Sequence, residues 1–304
     1  MKVCVIIPAL NEEKFIGKLI DSINLNSYKE KEVIVVDDGS TDKTVEIAIA
    51  KGAKVFVNSP KRRGPSFGRN LGAEKTNAEI LCFLDADCFI EDKDFIKKAV
   101  KVFDENTVAV RTSYNTIQDK FIEKIVTKKQ GISFEPKFIK REIFLELGGF
   151  PLIGFGEDQI LVYNLKKYLK ENGLKEKIIK EIYFSGHGVH SIFEMYKQAK
   201  WYGKTSIPFI KMVPKEFKFK QLISVYLRLV YFLSFFFLIF SLYFLPLVIF
   251  VVPFLVIFFG IIFKAIKTKN AFILGKTFTF LFFGLGMIHG LIIYLFGMDK
   301  KFGS

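Results

Sequence analysis

"EILCFLDADC" (residues 79–88) is an apolar run that ends abruptly on two carboxylates, Asp85 and Asp87. The segment from Ile80 to Leu84 contains no polar side chain, which is typical of a strand covered on both faces of a parallel sheet. Ligands bind at the carboxyl ends of the strands in such sheets. We therefore expect Asp85 and Asp87 to lie at a ligand-binding edge.

Three more strands are predicted before this one, from short apolar segments at 3–9, 32–38 and 53–57. Segments with helical spacing lie between them and before residue 79. Alternation of strand and helix indicates a βαβ series, so we predict an α/β fold with a mostly parallel sheet. The later elements are less regular: a strand near 132–139, a helix at 141–147, a Gly-Gly turn at 148–149, a helix at 157–171, a strand at 178–184 and a helix around 191–204.

Polar side chains cluster where the predicted strands end. They are Asn11 and Glu12 after the first strand, Asp37 and Asp38 after the second, and Asp85 and Asp87 after the fourth. A basic segment with several glycines, at 62–79, belongs to the same edge, and its glycines permit close backbone approach. Cations beside carboxylates suit a diphosphate, and Mg²⁺ or Mn²⁺ would bridge carboxylates to phosphates.

The last third of the chain predicts a membrane region. Half of the 304 residues are hydrophobic, and no charged residue occurs between Leu229 and Phe263. That stretch is too long for one span, so we predict about three transmembrane helices within 222–298. Lysines in the loop after the second span place that loop, and the N-terminal domain, on the cytoplasmic face of the cell membrane.

Charge is concentrated next to this region. The net charge is +14, and residues 196–221 contain seven lysines against one acid, Glu216. Aromatic residues interrupt the lysines, which indicates a basic amphipathic segment at 206–221 on an anionic membrane surface. Nucleic-acid binding is ranked last because the lysines gather at the membrane edge. The three cysteines form no C-x-x-C pair, so neither a zinc site nor a disulfide framework is expected.

Six motifs in order give the chain a family resemblance. "IPALNEE", "VVDDGSTDKT", "GPSFGRNLGA", "FLDADC", "GGF…GFGEDQIL" and "KQAKWYG", over residues 1–205, resemble the family 2 glycosyltransferases of the Rossmann-like GT-A fold. The resemblance implies transfer of a sugar from a nucleotide sugar with inversion at the anomeric carbon. It also implies roles for individual residues.

By this resemblance, Asp158 is the catalytic base, Asp87 binds the metal, Asp38 contacts the nucleobase or ribose, and Asp85 contacts the ribose or diphosphate region. His190 is the second expected metal ligand, with His187 as the alternative. The residues expected to bind the nucleotide sugar are Pro8, Asn11, Glu12, Asp37, Asp38, Arg69, Asp85, Glu157, Lys197 and Trp201.

Two motifs depart from the pattern of known relatives. "KQAKW" (197–201) has lysines where processive relatives have Gln or Arg and then Arg, which weakens any prediction of polymer synthesis. "DADCFIEDKDF" lacks the Leu-Gln and Pro-Pro that follow D-A-D in many dolichyl-phosphate sugar synthases. The acceptor therefore stays open between a polyprenyl or dolichyl phosphate, a lipid-linked oligosaccharide and a glycolipid.

The sequence as a whole predicts a membrane-anchored, Mg²⁺- or Mn²⁺-dependent, inverting glycosyltransferase with a UDP- or GDP-linked donor. The alternative is a catalytically silent nucleotide-sugar-binding scaffold, against which the presence of Asp87 and Asp158 argues. A nucleotidyltransferase would need a basic Gly-rich loop after the first strand, where this chain reads "PALNEEK". Whether the chain forms a homo-oligomer stays open.

Overall fold

The computed structural model describes residues 1–58, 62–117, 130–187 and 192–213, with residues 256, 259–260, 288–289 and 292–293. Packing divides the chain into two compact units, the first of which contains residues 1–116 and 130–187. Within the described part of the chain, no helix combines the length and the apolarity needed to cross a membrane. The predicted spans at 222–298 fall almost wholly outside it, so they stay predictions, as does the domain boundary at residue 205.

A nine-stranded sheet forms the first unit. Its strands are β1 (Val3–Ala9), β2 (Lys31–Asp37), β3 (Lys54–Val57), β4 (Ile80–Phe83), β5 (Cys88–Ile90), β6 (Thr107–Ile117), β7 (Gln130–Ile132), β8 (Phe138–Lys140) and β9 (Lys175–His187). The helices are α1 (Ile16–Asn24), α2 (Thr44–Ala50), α3 (Pro65–Glu74), α4 (Phe95–Val100), α5 (Arg141–Glu146), α6 (Glu157–Asn172) and, in the second unit, α7 (Ile192–Met212).

The sheet is mixed rather than mostly parallel. Its order is β3-β2-β1-β4-β8-β6-β9-β5, and β7 pairs with β6. Strands β1 to β4 pair in parallel, as predicted, whereas β8 is antiparallel to both β4 and β6. The pairs β5–β9 and β6–β7 are antiparallel as well. The predicted parallel arrangement is therefore correct for the first four strands and wrong for the remainder.

The predicted strand at 132–139 is two strands in the structure. Residues between β7 and β8 include Pro136, which has no N–H to donate to a sheet ladder and so favours the interruption. The elements β5, α4 and β6 were not predicted from the sequence. The helix predicted around 191–204 begins at Ile192 and continues to Met212, passing through Pro208.

The core lies on both faces of the parallel strands. Val3, Val5 and Ile7 of β1 pack in one buried cluster with the apolar face of α1, while Cys4 and Ile6 pack in a second cluster on the other side. Side chains of a strand alternate between faces, so a strand covered on both sides must be apolar throughout. This explains why the first strands read as uninterrupted apolar runs.

Helix α3 lies very close to β1 because two of its residues are glycines. A Cβ on Gly68 would lie 3.1 Å from Cβ of Pro8, and a Cβ on Gly72 would overlap Cγ2 of Ile6. These two glycines therefore permit helix–sheet packing, and Pro8 is one of the surfaces on which the helix rests. Their spacing of four residues, which puts both on one helical face, is the signal for this role.

We predict that Gly72→Ala destabilises the fold by about 1–3 kcal/mol through overpacking, although alanine is the better helix former. The measurement is the urea midpoint by pulse proteolysis. Gly17→Ala in α1 is the control, because its added Cβ would meet Cγ2 of Ile47 at 3.2 Å, a milder contact. An unchanged midpoint for Gly72→Ala would contradict the close packing of α3 on β1.

Candidate functional site

The carboxyl ends of β1, β2 and β4 lie side by side, because these strands are parallel neighbours. The loop after β1 is fastened to the loop after β2 by hydrogen bonds. Asn11 N–H donates to Ser40 Oγ (2.8 Å), and Thr41 N–H donates to Asn11 Oδ1 (2.8 Å). Glu12 N–H donates to Thr44 Oγ1 (2.7 Å). Asn11 has a φ of 57°, a left-handed conformation that asparagine tolerates better than most residues.

The carboxylate of Asp37 is hydrogen-bonded within the turn that follows β2. The side chain is buried, and it accepts hydrogen bonds from the N–H groups of Gly39 (3.1 Å) and Ser40 (2.9 Å), and from the Ser40 hydroxyl. This is the arrangement of an Asx turn, in which a carboxylate satisfies the backbone two and three residues ahead. Its predicted contact with the nucleotide sugar stays a prediction.

Asp38 organises the basic segment that precedes α3. It accepts hydrogen bonds from the N–H groups of Arg63 (2.9 Å) and Gly64 (2.8 Å) and from Asn58 Nδ2 (2.8 Å). Arg62 and Arg63 are exposed beside it, with the Arg63 guanidinium 4.5 Å from the ring centroid of Phe67. The structure thus brings a carboxylate and two accessible cations to the end of β2.

Arg69 connects two predicted site residues. Its largely buried side chain donates to Asp85 Oδ1 (2.6 Å), and its Nη1 lies 3.8 Å from Glu157 Oε1. Burial raises the pKa of Asp85, but the positive charges of Arg69 and Lys137, with the hydrogen bond from Arg69, together more than offset it, so that pKa is below its ordinary value. For Glu157 burial dominates and raises the pKa to about 7. Arg69 therefore joins the end of β4 to the start of α6.

The next residue, Asn70, holds the loop that leads to α6. Asn70 Nδ2 donates to the carbonyl oxygen of Phe150 (2.7 Å), and Phe150 N–H donates to Asn70 Oδ1 (2.9 Å). Gly149 has a φ of 68°, and a Cβ there would lie 2.6 Å from Asn70 Oδ1. Asn70 was not predicted as a functional residue, and no local pattern identifies it.

Asp158 lies in the first turn of α6, after Gly156 in a left-handed conformation. Burial, and then the negative charge of Glu135, raise the pKa of Asp158 above its ordinary value. The N-terminal turn of a helix favours ionised acids, which keeps this carboxylate usable as a base despite burial. The predicted base is thus a half-buried acid with a raised pKa beside other charges.

A cavity of about 270 Å³ extends from Asp85 and Asp87. Further walls come from β6, β9 and the segment between β7 and β8, and the lining includes Tyr114, Glu135, Lys137 and Phe184. Glu135 and Lys137 were not predicted from sequence. The aromatic rings of Tyr114, Phe134 and Phe184 share this lining with polar and charged side chains, a mixture that suits a polar small molecule.

The same edge is rich in negative charge. Burial raises the pKa of Glu12 to about 7, and the carboxylates of Asp87, Asp42 and Asp85 contribute to this. Among the residues that the structure describes, no group of three or more His, Cys, Asp or Glu side chains is placed to hold a metal by itself. Mg²⁺ commonly takes only one or two protein carboxylates when phosphates supply other ligands, so Asp87 fits such an ion.

Of the two histidine alternatives, only His187 lies among the residues that the structure describes. His190 lies outside the described residues. His187 lines the cavity together with Asp87, and its ring packs against Phe15 with centroids 4.7 Å apart. Lys197 and Trp201 lie on α7 in the second unit, so their assignment to the donor site stays a prediction.

Fold and site together define a GT-A-like α/β domain with an acidic ligand-binding edge. The sequence profile described as "Glycosyl transferase family 2" matches residues 4–156, half of the chain. The chain therefore belongs to the family 2 glycosyltransferases.

Several named proteins are similar to it. A 4,4'-diaponeurosporenoate glycosyltransferase of Staphylococcus haemolyticus is 39% identical over 106 residues, which is 33% of this chain and 28% of that protein. An O-antigen chain rhamnosyltransferase of Salmonella typhimurium is 30% identical over 176 residues, 50% of this chain and 56% of that protein. The matches cover from 15% to 56% of the length of such curated relatives.

Among solved structures, a mannosyltransferase from Pyrobaculum calidifontis in complex with GDP-Man and Mn²⁺ has a similar fold. Its TM-score is 0.55 at 19% identity, covering 98% of this chain and 88% of that one. At this identity the likeness concerns the fold alone.

We predict that Asn70→Ala destabilises the first unit by about 1–3 kcal/mol, because the N–H and C=O groups of Phe150 lose their partners. Hydrogen exchange of the amides in residues 148–158 should accelerate. Asn172→Ala is the control, since it removes a comparable bond from Asn172 Nδ2 to Tyr168 O (2.9 Å) at an exposed helix end. Equal effects of the two changes would show that Asn70 has no special part in holding this loop.

Proposed function

We propose that this chain transfers a sugar from a UDP- or GDP-linked donor to a membrane-held acceptor, with inversion and with Mg²⁺ or Mn²⁺. The observation that carries the proposal is the Arg69 junction. One largely buried guanidinium contacts Asp85 at 2.6 Å and approaches Glu157, the neighbour of Asp158, to 3.8 Å. A donor-binding carboxylate and the residue next to the proposed base are therefore held together in one ion-pair network.

The donor would lie along the carboxyl edge of the sheet. In this proposal, Asp38 contacts the nucleobase or ribose, and the exposed Arg62 and Arg63 add positive charge near the diphosphate. Asp85 contacts the ribose or diphosphate region, and Asp87 holds the metal, with His187 or His190 as a further ligand. The bound GDP-Man and Mn²⁺ named for the Pyrobaculum calidifontis mannosyltransferase support a nucleotide sugar with a divalent ion.

Asp158 is the proposed general base. A hydroxyl oxygen of a glycolipid or lipid-linked oligosaccharide attacks the anomeric carbon as its proton passes to the Asp158 carboxylate, and the bond from that carbon to the diphosphate oxygen breaks with its electron pair. A phosphate acceptor attacks through an oxygen that is already ionised, so it requires no base. A base works best when its pKa lies near the working pH, and burial and Glu135 shift Asp158 in that direction. A bound Mg²⁺ or Mn²⁺ would supply positive charge against the departing diphosphate.

The acceptor is proposed to be a lipid or lipid-linked molecule: a polyprenyl or dolichyl phosphate, a lipid-linked oligosaccharide or a glycolipid. The uncharged stretch from Leu229 to Phe263 and the lysine-rich segment before it support an anchor at 222–298 and an interfacial segment at 206–221. The catalytic domain, proposed as residues 1–205, would then act at the cytoplasmic face of the cell membrane.

We predict that Asp158→Asn lowers the release of nucleoside diphosphate by about 10²–10⁴-fold, because the acceptor hydroxyl loses its base. The assay uses the protein in native-lipid membranes with radiolabelled UDP- and GDP-sugars and Mn²⁺ or Mg²⁺. EDTA should abolish turnover, and label should enter the lipid phase. In the wild type, kcat/KM should fall as the pH drops through the raised pKa of Asp158, because the base becomes protonated.

Asp21→Asn is the matched control, since Asp21 is an exposed acid paired with Lys51 (2.6 Å) on the α1 surface. It should leave turnover unchanged. Binding of a donor with no labelled lipid or glycan, together with no effect of Asp158→Asn, would contradict the transferase proposal and favour a silent binding scaffold.

A further inference from the structure

The cavity beside Asp85 contains a buried lysine, Lys137, paired with Glu135, and the proposed mechanism gives this pair no contact with the donor. Lys137 is 5% exposed, and its Nζ lies 2.6 Å from Glu135 Oε1. The Lys137 ammonium also lies 4.8 Å from the ring centroid of Phe184. The Glu135 side chain is 22% exposed. Glu135 and Lys137 both line the cavity.

The sheet fixes this pair in place. Lys137 N–H donates to the carbonyl oxygen of Val110 on β6 (3.0 Å), and Phe83 N–H on β4 donates to the carbonyl oxygen of Lys137 (3.0 Å). Phe83 is two residues before Asp85. The pair is therefore rigidly positioned relative to the carboxylates at the end of β4.

Both members are ionised. Burial lowers the pKa of Lys137, but Glu135 and then Asp85 more than offset it, so that pKa is above its ordinary value. Burial raises the pKa of Glu135, but Lys137 more than offsets it, so that pKa is below its ordinary value. A buried ion pair often stabilises a fold no better than apolar side chains of similar volume. Stability alone therefore gives little reason for a charged pair at this position.

The order of the strands indicates which part of a donor this pair would meet. Asp38 follows β2, Asp87 follows β4, and the pair lies beyond β4, on the side of β8 and β6. A nucleotide sugar is linear: nucleoside, diphosphate, sugar. With the nucleoside at β2 and the diphosphate at β4, the sugar ring reaches the cavity that Glu135 and Lys137 line.

We propose that Glu135, oriented by Lys137, accepts hydrogen bonds from hydroxyl groups of the donor's sugar ring and selects the sugar. This rests on the proposed function. An ionised carboxylate is an acceptor only, so it suits hydroxyl donors. A carboxylate on the sugar has no proton to donate to Glu135 and would be repelled by its negative charge, whereas Asp85 and Asp87 already face Arg69 and the proposed metal. The favoured donor class is therefore a neutral, hydroxyl-rich hexose, and uronic acids are disfavoured.

The test compares the affinities of the full-length protein, in nanodiscs with Mn²⁺, for UDP, GDP, UDP-glucose, GDP-mannose and UDP-glucuronate by calorimetry. The wild type should bind a neutral-sugar donor at least about 10-fold more tightly than UDP-glucuronate. Glu135→Gln should weaken binding of the neutral donor by about 10- to 100-fold, the range for a hydrogen bond to a charged group. The affinity for the nucleoside diphosphate alone should stay within about twofold, which also shows an intact site.

Deoxyfluoro versions of the neutral donor then locate the contact. Replacement of the hydroxyl that Glu135 binds should weaken binding to the wild type but not to Glu135→Gln, since both changes remove the same bond. Lys137→Met should weaken the same donor without affecting the nucleoside diphosphate. Glu176→Gln is the matched control, because Glu176 is a half-buried acid with a cation, Arg111, at 3.7 Å and does not line this cavity.

Four results would overturn the inference. Equal loss for the donor and for the nucleoside diphosphate would mean that the pair only maintains structure. Loss of acceptor affinity with unchanged donor affinity would assign the pair to the acceptor. Unchanged sugar affinity in Glu135→Gln, with normal nucleoside diphosphate binding, would reject the pair while leaving the proposed function standing. Failure of the wild type to bind any nucleotide with Mn²⁺ would reject both.

Discussion

The arrangement of the site depends on the two ion pairs of the Arg69 guanidinium. This guanidinium faces Asp85 at the end of β4 and Glu157 at the start of α6, two elements that are far apart in the sequence. Arg69 can reach them because Gly68 and Gly72 allow α3 to lie against β1. Asn70, its neighbour, ties the same helix to Phe150. Helix α3 thus connects the sheet to the loop that precedes α6, and the first turn of α6 carries Asp158.

Among the described residues, more acidic than basic side chains lie around the Arg69 junction, and this excess of acids has consequences for the chemistry of the site. Arg69 and Lys137 compensate Asp85 and Glu135, and both cations are more deeply buried than their acidic partners. Asp87, Glu12 and Asp158 lie beside these pairs, and the pKa values of Glu12 and Asp158 are raised first by burial and then by neighbouring negative charges. Acids crowded in this way favour a divalent cation at one place and a proton acceptor at another.

Sequence patterns predicted the parts of this domain that depend on local chemistry. The apolar runs of β1 to β4, the helical spacing between them and the acids at their ends all follow from two-sided burial and a common edge. The antiparallel second half was not predictable in this way, because β5 and β8 are only three residues long and owe their place to long-range pairing. The Asn70 contact was missed because its partner, Phe150, lies 80 residues away. The Glu135–Lys137 pair was missed because its position beside Asp85 arises only in the folded chain.

We propose above all that the carboxyl edge of β1, β2 and β4 binds a nucleoside diphosphate together with a divalent ion held by Asp87. The most direct measurement is calorimetric titration of UDP and GDP into wild-type protein and Asp87→Asn, each with and without Mn²⁺, while electron paramagnetic resonance monitors the bound ion. The account predicts that Mn²⁺ strengthens wild-type binding by at least about 10-fold and that Asp87→Asn removes most of that gain, as loss of a charged ligand would. An equal gain from Mn²⁺ in both proteins, or no nucleotide binding in either, would contradict it.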